Sequence, residues 1–489
     1  MAENIRVRIA PSPTGKLHIG TARTALFNYL FAKKNEGTFV VRMEDTDKER
    51  SSEDLARDIL DGMLWLGIIW DEGPEVGGPF EPYYQQERLH LYEEYTQKLL
   101  DEKKAYRCYC TPEELTAERE AQQARKEAPK YSGKCRHLSE TEIDQFEREG
   151  RTFVVRFIVD QESVEFDDLV RGHVSFDGSL FGDFTVVRSD GTPLFLLSNA
   201  IDDNLMKISH VLRGEDHLSN TAKQILLCQA LGFLPPQFGH FPLILNANRS
   251  KMSKRKDPVS IQDDYKAKGY LAEAIVNFIA LLGWSPGTDK EIFTMHELIE
   301  EFQIERVGKS PSIFDPEKLL WMNGYYIRQL AVGDIASKAQ TFIRDKEIFD
   351  ATLKNPDYFL QVVALVQDRM KTLADIEGLI GFFYRLPDYT GKLLIAKKSS
   401  KARTGVALKA AEEALTKLPA MTTDETELAL REAAKREDLK DGEILWAVRV
   451  ALTGVEASPG VFELLEVIGK KESLERIATA RKKLANSKG

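Results

Sequence analysis

The chain has 489 residues, of which 43% are hydrophobic and 29% charged, a length that calls for several domains and a balance typical of globular proteins. This excludes wholesale disorder, a collagen-like repeat and a small disulfide scaffold. Acids exceed bases by 77 to 67, a formal charge of −10, so charge alone does not suggest a nucleic-acid partner, although local basic patches would suffice for one. No apolar run approaches the length of a membrane span, and the opening MAENIRVRIAPS lacks a signal-peptide core. Four cysteines in so long a chain fit a reducing, cytoplasmic setting, where clustered thiols read better as metal ligands than as disulfides.

In chain order, Ile5, Val7 and Ile9 alternate with polar residues and predict a half-buried strand. The loop PSPTGKLHIG follows, and then residues 20–34 place Ala22, Ala25, Leu26, Tyr29 and Leu30 on one helical face. Gly37 is a natural stop, and TFVVRMED resumes as a strand. Two strands joined by one helix should lie parallel in a covered sheet, with ligands at their carboxyl ends. The loop at 11–20 and the acids Glu44, Asp45 and Asp47 then share one edge. SSEDLARDILDGMLWLG reads as a helix with Leu55, Ile59, Leu60, Met63 and Leu64 inward. A charged stretch at 112–150 precedes the strand-like TFVVRFIV and DFTVVRS, which together suggest an insertion ending near Asp190. Apolar pattern returns in PLFLLSNAID, ISHVLRGEDHL and ILLCQALG, and after FPLILNA comes the basic loop SKMSKRKDP. From Asp263 onward the period is helical nearly throughout, with AKKSSKARTG at 396–405 reading as a basic linker or surface turn. No internal repeat is found.

Three elements carry chemistry. A glycine-containing turn that opens a helix presents backbone N–H groups and the positive end of the helix dipole, which suits phosphate. In PSPTGKLHIGT, His18 adds a donor and Gly20 permits close approach, whereas GxxxxGK[ST] and GxGxxG are absent. KMSKR at 251–255, with Lys256, gathers four cations in six residues, which is costly without an anion. Cys108, Cys110, Cys135 and His137 form C-x-C-x24-C-x-H, a thiolate and imidazole set that suits one tetrahedral, structural zinc. Cys228 lies on an apolar helix and reads as core. Taken singly, the two loops would pass for solvated turns.

HIGT near the start and KMSKR some 230 residues later form the signature pair of a class I aminoacyl-tRNA synthetase. RIAPSPTGKLHIGTARTALFNYLFA, VRMEDTDKERS, DDNLMKISHVLRGEDHLSNT, KMSKRKDPVSI and LLWMNGYYIR resemble the bacterial glutamyl-tRNA synthetases, in their order, most strongly over the first two-thirds of the chain. Thr21 stands where the HIGH-type motif ends in a second histidine, and Phe195 where relatives often carry tyrosine. The resemblance implies an α/β fold: a Rossmann-type parallel-sheet catalytic domain with an α+β insertion, then an all-α anticodon-binding region. The implied divisions are 1–105 and 195–255 for the catalytic halves and 106–194 for an acceptor-stem-binding insertion with the zinc site. A helical stem-contact domain at 256–330 and the anticodon-binding region at 331–489 complete them.

It also implies ATP-dependent activation of L-glutamate to glutamyl-adenylate and transfer to the terminal adenosine of tRNA(Glu), with the additional charging of tRNA(Gln) left open. Displacement at phosphorus needs positioning and neutralisation of charge more than covalent help. His18 and Lys254 take the catalytic roles by this resemblance, and Mg2+ arrives with ATP. The ATP site would comprise Ala10, Ser12, Thr14, Gly15, His18, Gly20, Thr21, Lys251, Met252, Ser253, Lys254 and Arg255. Glutamate would meet Arg8 at its side chain and Glu44 at its ammonium, with Ser12, Phe195, Asn199 and Arg213 completing the pocket. Activation is expected to require bound tRNA, gripped through basic clusters at 397–403 and 470–483, and a monomer is expected. A glutaminyl enzyme would carry β-rich anticodon domains, and the short paralogue that modifies a tRNA base lacks the C-terminal region. A small-molecule nucleotidylyltransferase needs no such helical tail, and a catalytically silent tRNA-binding paralogue would have lost His18, Lys254 or Glu44.

Overall fold

The computed structural model describes residues 5–127, 129–178, 181–250, 252 and 259–487. The chain forms two compact units, one of residues 1–267 with 272–316 and one of 268–271 with 317–489. No helix among the described residues is long and apolar enough to cross a membrane.

The first unit contains strands β1 (Arg6–Ile9), β2 (Thr38–Val41), β3 (Ala105–Cys108), β4 (Val154–Phe157), β5 (Ser163–Asp168), β6 (Gly172–Asp177), β7 (Phe184–Val187), β8 (His210–Gly214), β9 (Gln237–Phe241), β10 (Ile244–Leu245) and β11 (Ser312–Ile313). Its helices are α1 (Ile19–Lys34), α2 (Glu53–Trp65), α3 (Leu89–Asp101), α4 (Pro112–Ala124), α5 (Glu140–Arg148), α6 (Phe195–Leu205), α7 (Leu218–Leu231), α8 (Ala272–Ala280) and α9 (Met295–Glu301). The main sheet runs β2-β1-β8-β9-β5-β6, parallel up to β5 and closed by the antiparallel β5–β6 hairpin. β1 pairs with β2 as the sequence pattern predicts, Arg8 opposite Val40.

Two features differ from the sequence expectation. Helix α1 is buried on nearly every side, because α8 and α9 cover the face opposite the sheet. Its Arg23 is buried and donates to the carbonyls of Leu282 at 3.0 Å and Pro242 at 2.5 Å. The insertion, expected as one body, divides between two sheets. β3, β4 and β7 form a separate antiparallel sheet, while the β5–β6 hairpin extends the catalytic sheet by parallel pairing of Asp168 with Phe238.

The second unit is helical among its described residues: α10 (Pro316–Gln329), α11 (Val332–Gln340), α12 (Lys346–Lys354), α13 (Pro356–Val366), α14 (Ile376–Tyr384), α15 (Lys401–Lys417), α16 (Thr423–Arg436), α17 (Asp441–Thr453), α18 (Val461–Ile468) and α19 (Lys470–Asn486). Helix α10 belongs here, although the sequence division falls after residue 330. Asn323 donates to the Lys371 carbonyl, and Gln367 donates to the carbonyls of Ile327 and Leu330. The stretch 396–405 is a linker only in its first half, since Ser400 caps α15 by accepting the Arg403 N–H. The basic clusters are partly internal. Lys401 donates to the carbonyls of Ala485 and Ser487, Arg403 pairs with Glu443, Lys470 caps the end of α15, and Arg476 is buried on the carbonyls of Phe382 and Leu452. Lys397, Lys398, Lys471 and Lys482 remain exposed.

Candidate active site

The β1–α1 turn opens onto a cleft of about 450 Å³ at the carboxyl ends of β1 and β8. Arg8, Ala10, Ser12, His18, Gly20, Thr21, Glu44, Phe195, Asn199, Arg213 and Met252 line it. Thr14 and Gly15 line an adjoining hollow of about 170 Å³ that Ser12, His18 and Thr21 also border. Lys251, Ser253, Lys254 and Arg255 lie outside the described residues.

His18 is the N-cap of α1 and accepts the Thr21 N–H through Nδ1 at 3.3 Å. A Cβ at position 20 would stand 3.2 Å from the imidazole, so glycine there lets the ring lie against the helix start. The backbone also joins the two signature motifs. The Ile19 N–H donates to the Val259 carbonyl and the Ile261 N–H to the Leu17 carbonyl, both at 2.9 Å, and Met252 and Val259 face the same cleft. Topology thus places the downstream flank of the basic motif against the helix terminus suited to phosphate.

Beneath the cleft lies a buried ionic network that sequence reasoning missed. Asp202 and Asp203 are adjacent on α6 and fully buried. Asp203 accepts from Arg8 (Nε 3.1 Å, Nη2 3.3 Å) and from Arg42 Nη1 at 2.8 Å. Asp202 accepts from Arg88 Nε at 2.7 Å, Tyr92 Oη at 2.8 Å and Gln85 Nε2 at 2.9 Å. Burial alone would raise the Asp203 carboxyl, but Arg8 and Arg42 outweigh it and lower it to about 2. Arg42 was legible as a lone arginine in the apolar TFVVRM, and its second partner is Asn199 Oδ1 at 2.8 Å. Arg8 therefore reaches the cleft already held by an acid, and the Asn199 amide is engaged by Arg42 and the Phe195 carbonyl.

Glu44 and Arg213 each turn toward the cleft a terminal polar atom without a hydrogen bond. Burial raises the Glu44 carboxyl to about 7, against the pull of Arg42, and its Oε1 has no hydrogen-bond partner. Arg213 is 6% exposed, and burial and the Arg8 charge both work against its cation. Its Nη2 donates to Thr221 Oγ1 at 2.7 Å and its Nε to His240 Nε2 at 3.4 Å, while Nη1 has no partner. Among the described residues no carboxylate pairs with it. His217, another residue not singled out from sequence, packs against Phe195 with ring centroids 5.1 Å apart and planes tilted by 46°, and burial and Arg213 pull it down to about 4, so it faces the cleft neutral.

The cysteines meet as expected, with Sγ atoms of Cys108, Cys110 and Cys135 within 4.8 Å of one another. His137 is not with them. It sits exposed at the end of a 3-10 turn, Lys134–His137, whose three residues per turn point positions 135 and 137 in different directions. The Tyr131 hydroxyl is there instead, 3.4 Å from Cys108 Sγ and 3.5 Å from Cys110 Sγ, accepting the Cys135 N–H at 2.9 Å. A cluster of three thiols, two buried and that of Cys110 half-buried, with a phenol oxygen beside it is a donor set that fits zinc.

A parallel sheet whose first strand–helix turn carries HIGT, with the residues just downstream of KMSKR paired to that turn, defines a class I aminoacyl-tRNA synthetase. Residues 4–321 match the family model for class I tRNA synthetases (E and Q), catalytic domain, and residues 334–481 match an anticodon binding domain. The chain belongs to this glutamyl and glutaminyl family. It is 45% identical to the glutamate–tRNA ligase of Heliobacterium modesticaldum over 98% of this chain and 97% of that one. It is equally 45% identical to that of Carboxydothermus hydrogenoformans, over 97% and 99%. The crystal structure of a glutamate tRNA ligase from Elizabethkingia meningosepticum in complex with its amino acid superposes with a TM-score of 0.87 at 33% identity, covering 98% of this chain and 99% of that one.

Arg42→Met keeps the bulk of the fully buried arginine but leaves two acids without their shared cation. It should lower stability by about 3–5 kcal/mol, read as a fall in the urea midpoint of unfolding.

Proposed function

We propose that this chain is a glutamate–tRNA ligase, and the observation that carries the reading is Arg213. A buried guanidinium with an unpartnered Nη1 and no acid of its own calls for an anionic ligand group, and Glu44 across the cleft supplies the opposite charge for an ammonium. Glutamate has both. Arg8, already paired to Asp203, reinforces the positive end, and Phe195 walls the pocket beside His217.

With the side chain and ammonium so held, the α-carboxylate is the free nucleophile. One of its oxygens bonds to the α-phosphorus of ATP as the bond to the bridging oxygen breaks, and pyrophosphate leaves with its magnesium. His18 and the N–H groups opening α1 hold phosphate oxygens, and Lys254 neutralises the charge that develops on the leaving pyrophosphate. The terminal ribose hydroxyl of tRNA(Glu) then takes the glutamyl group from AMP. No side chain serves as a covalent nucleophile. A small-molecule nucleotidylyltransferase has no use for an anticodon-binding region at 334–481.

The test is pyrophosphate exchange and aminoacylation by the full chain. Exchange with glutamate and ATP alone should be negligible, and tRNA(Glu) should switch it on with a steep decline as salt rises. Lys254→Ala should suppress turnover while leaving the glutamate KM nearly unchanged, because its charge acts chiefly in the transition state. Robust exchange without RNA would overturn the coupling to tRNA. Charging of tRNA(Gln) beside tRNA(Glu), assayed with both purified RNAs, defines the acceptor range.

Glu44 must be ionised to receive the ammonium, yet in the free protein its carboxyl is raised to about 7. Binding below that pH therefore carries the added cost of deprotonation. The glutamate KM should fall as pH rises from 6 to 8 and then level off, by at most about tenfold per pH unit on the acid side. Glu44→Gln should leave a high KM that is flat across this window.

The zinc reading is structural. Cys108, Cys110 and Cys135 supply three ligands, and Tyr131 stands nearer the fourth position than His137. Bound zinc would cross-link β3 to the 134–137 turn and supply no chemistry to the cleft. Metal analysis of protein purified without added zinc should find about one zinc per chain. His137→Ala should retain it and Tyr131→Phe should loosen it. The opposite pattern would restore His137 as the ligand.

A further inference from the structure

We propose that His240, oriented by Asp168, is the positioning residue that keeps Arg213 in place with its charge available to the substrate's carboxylate. The inference rests on the reading that Arg213 meets the glutamate side chain. It concerns groups outside the cleft, contributed by β5, β9 and α7.

The sheet register puts Arg213 on β8 directly opposite His240 on β9, and both are buried. Asp168, at the end of β5 and also buried, receives His240 Nδ1 at 2.5 Å on Oδ2. Its Oδ1 accepts the N–H groups of Val170 at 2.9 Å, Arg171 at 2.8 Å and His240 at 3.2 Å. A carboxylate accepting three backbone donors is ionised and acceptor-only, so Nδ1 of His240 carries the ring proton. Nε2 is then a bare acceptor. It receives the Nε–H of Arg213 at 3.4 Å and the hydroxyl of Thr221 at 2.8 Å, and that hydroxyl oxygen accepts Arg213 Nη2 at 2.7 Å. Two nitrogens of the guanidinium are thereby fixed, and Nη1 is left unpartnered.

Arg8 shows what the alternative looks like. It is held directly by the Asp203 carboxylate, which largely neutralises it before any ligand arrives. Arg213 is held by two neutral groups, and the acid that stabilises the arrangement stands one residue further away. Geometry is imposed on Arg213 without cancelling its charge. The same chain of contacts also begins in the insertion, because Asp168 belongs to the hairpin that β5 and β6 add to the catalytic sheet.

The test measures glutamate and ATP KM and kcat in tRNA-dependent aminoacylation by the full chain. Asp168→Asn lets an amide N–H face Nδ1, which moves the ring proton to Nε2 and turns a donor toward Arg213. Thr221→Val, nearly isosteric, removes the bridging hydroxyl without touching the acid. Each should raise the glutamate KM about tenfold, the scale of one hydrogen bond to a charged group, with the ATP KM and kcat at saturating glutamate unchanged. Each should also narrow the preference for glutamate over glutamine. In an Arg213→Ala background neither should raise the glutamate KM further, because the residue they position is gone. Effects that add fully to Arg213→Ala, or that strike ATP and glutamate equally, would show mere destabilisation and overturn the proposal. A raised KM for Arg213→Ala with normal KM for both other variants defeats this inference alone. A normal KM for Arg213→Ala defeats the pocket reading beneath it.

Discussion

Asp202 and Asp203 sit side by side on α6, with no exposure to water, and between them engage arginines from β1, from the end of β2 and from the turn before α3. Adjacent residues on a helix project about 100° apart, so two consecutive acids serve two directions at once. A buried carboxylate is tolerable only when fully paired. The consequence is topological. Arg8, Arg42 and Arg88 come from the part of the chain before the insertion, and α6 opens the part after it. The insertion separates the two halves in sequence, and the acid pair fastens them in space. The cleft forms along that join, with its floor already rigid before any substrate enters.

The cleft's charge pattern follows from what that floor leaves over. Of its arginines, Arg8 is neutralised below and Arg23 is bound by the carbonyls of Leu282 and Pro242, while Arg213 reaches the cleft from β8 with no acid attached and Nη1 open. Glu44 is the converse, a carboxyl raised by burial whose Oε1 lies 3.8 Å from the buried Arg42 guanidinium but accepts no hydrogen bond. A zwitterion with an extra carboxylate satisfies both in a single orientation. On the proposed reading, specificity rests on the Arg213 end, since glutamine would offer its ammonium to Glu44 but no side-chain carboxylate to the guanidinium.

Local pattern made much of this legible. HIGT, the strands on either side of α1 and the acidic turn at Glu44 are contiguous in sequence, so their shared sheet edge followed from one strand–helix–strand unit. KMSKR was readable for its charge density, and the structure pairs its downstream flank with residues 17–19. What escaped depends on tertiary register. Nothing in VRMED says that Arg42 turns inward to two acids 160 residues away, and nothing in FGHF says that His240 faces Arg213. His137 was read as a ligand from symmetric spacing, whereas the local 3-10 turn places it exposed, apart from the three cysteines. The basic clusters were legible only as charge, not as contacts. A lysine that binds carbonyls at a helix end looks, in sequence, the same as one that waits in solvent.

The β5–β6 hairpin has a consequence for colloidal behaviour. A parallel sheet ending at β9 would present a row of open backbone groups at which a second molecule could add a strand. β5 joins that row at Phe238, opposite Asp168, and the new outermost strand, β6, alternates half-buried residues with exposed His173, Ser175 and Asp177. Across the pair lie the exposed Glu165 and Asp167, so an incoming strand meets negative charge at the border. The hairpin thus works as a selvedge, the finished margin that keeps a woven edge from catching on its neighbour.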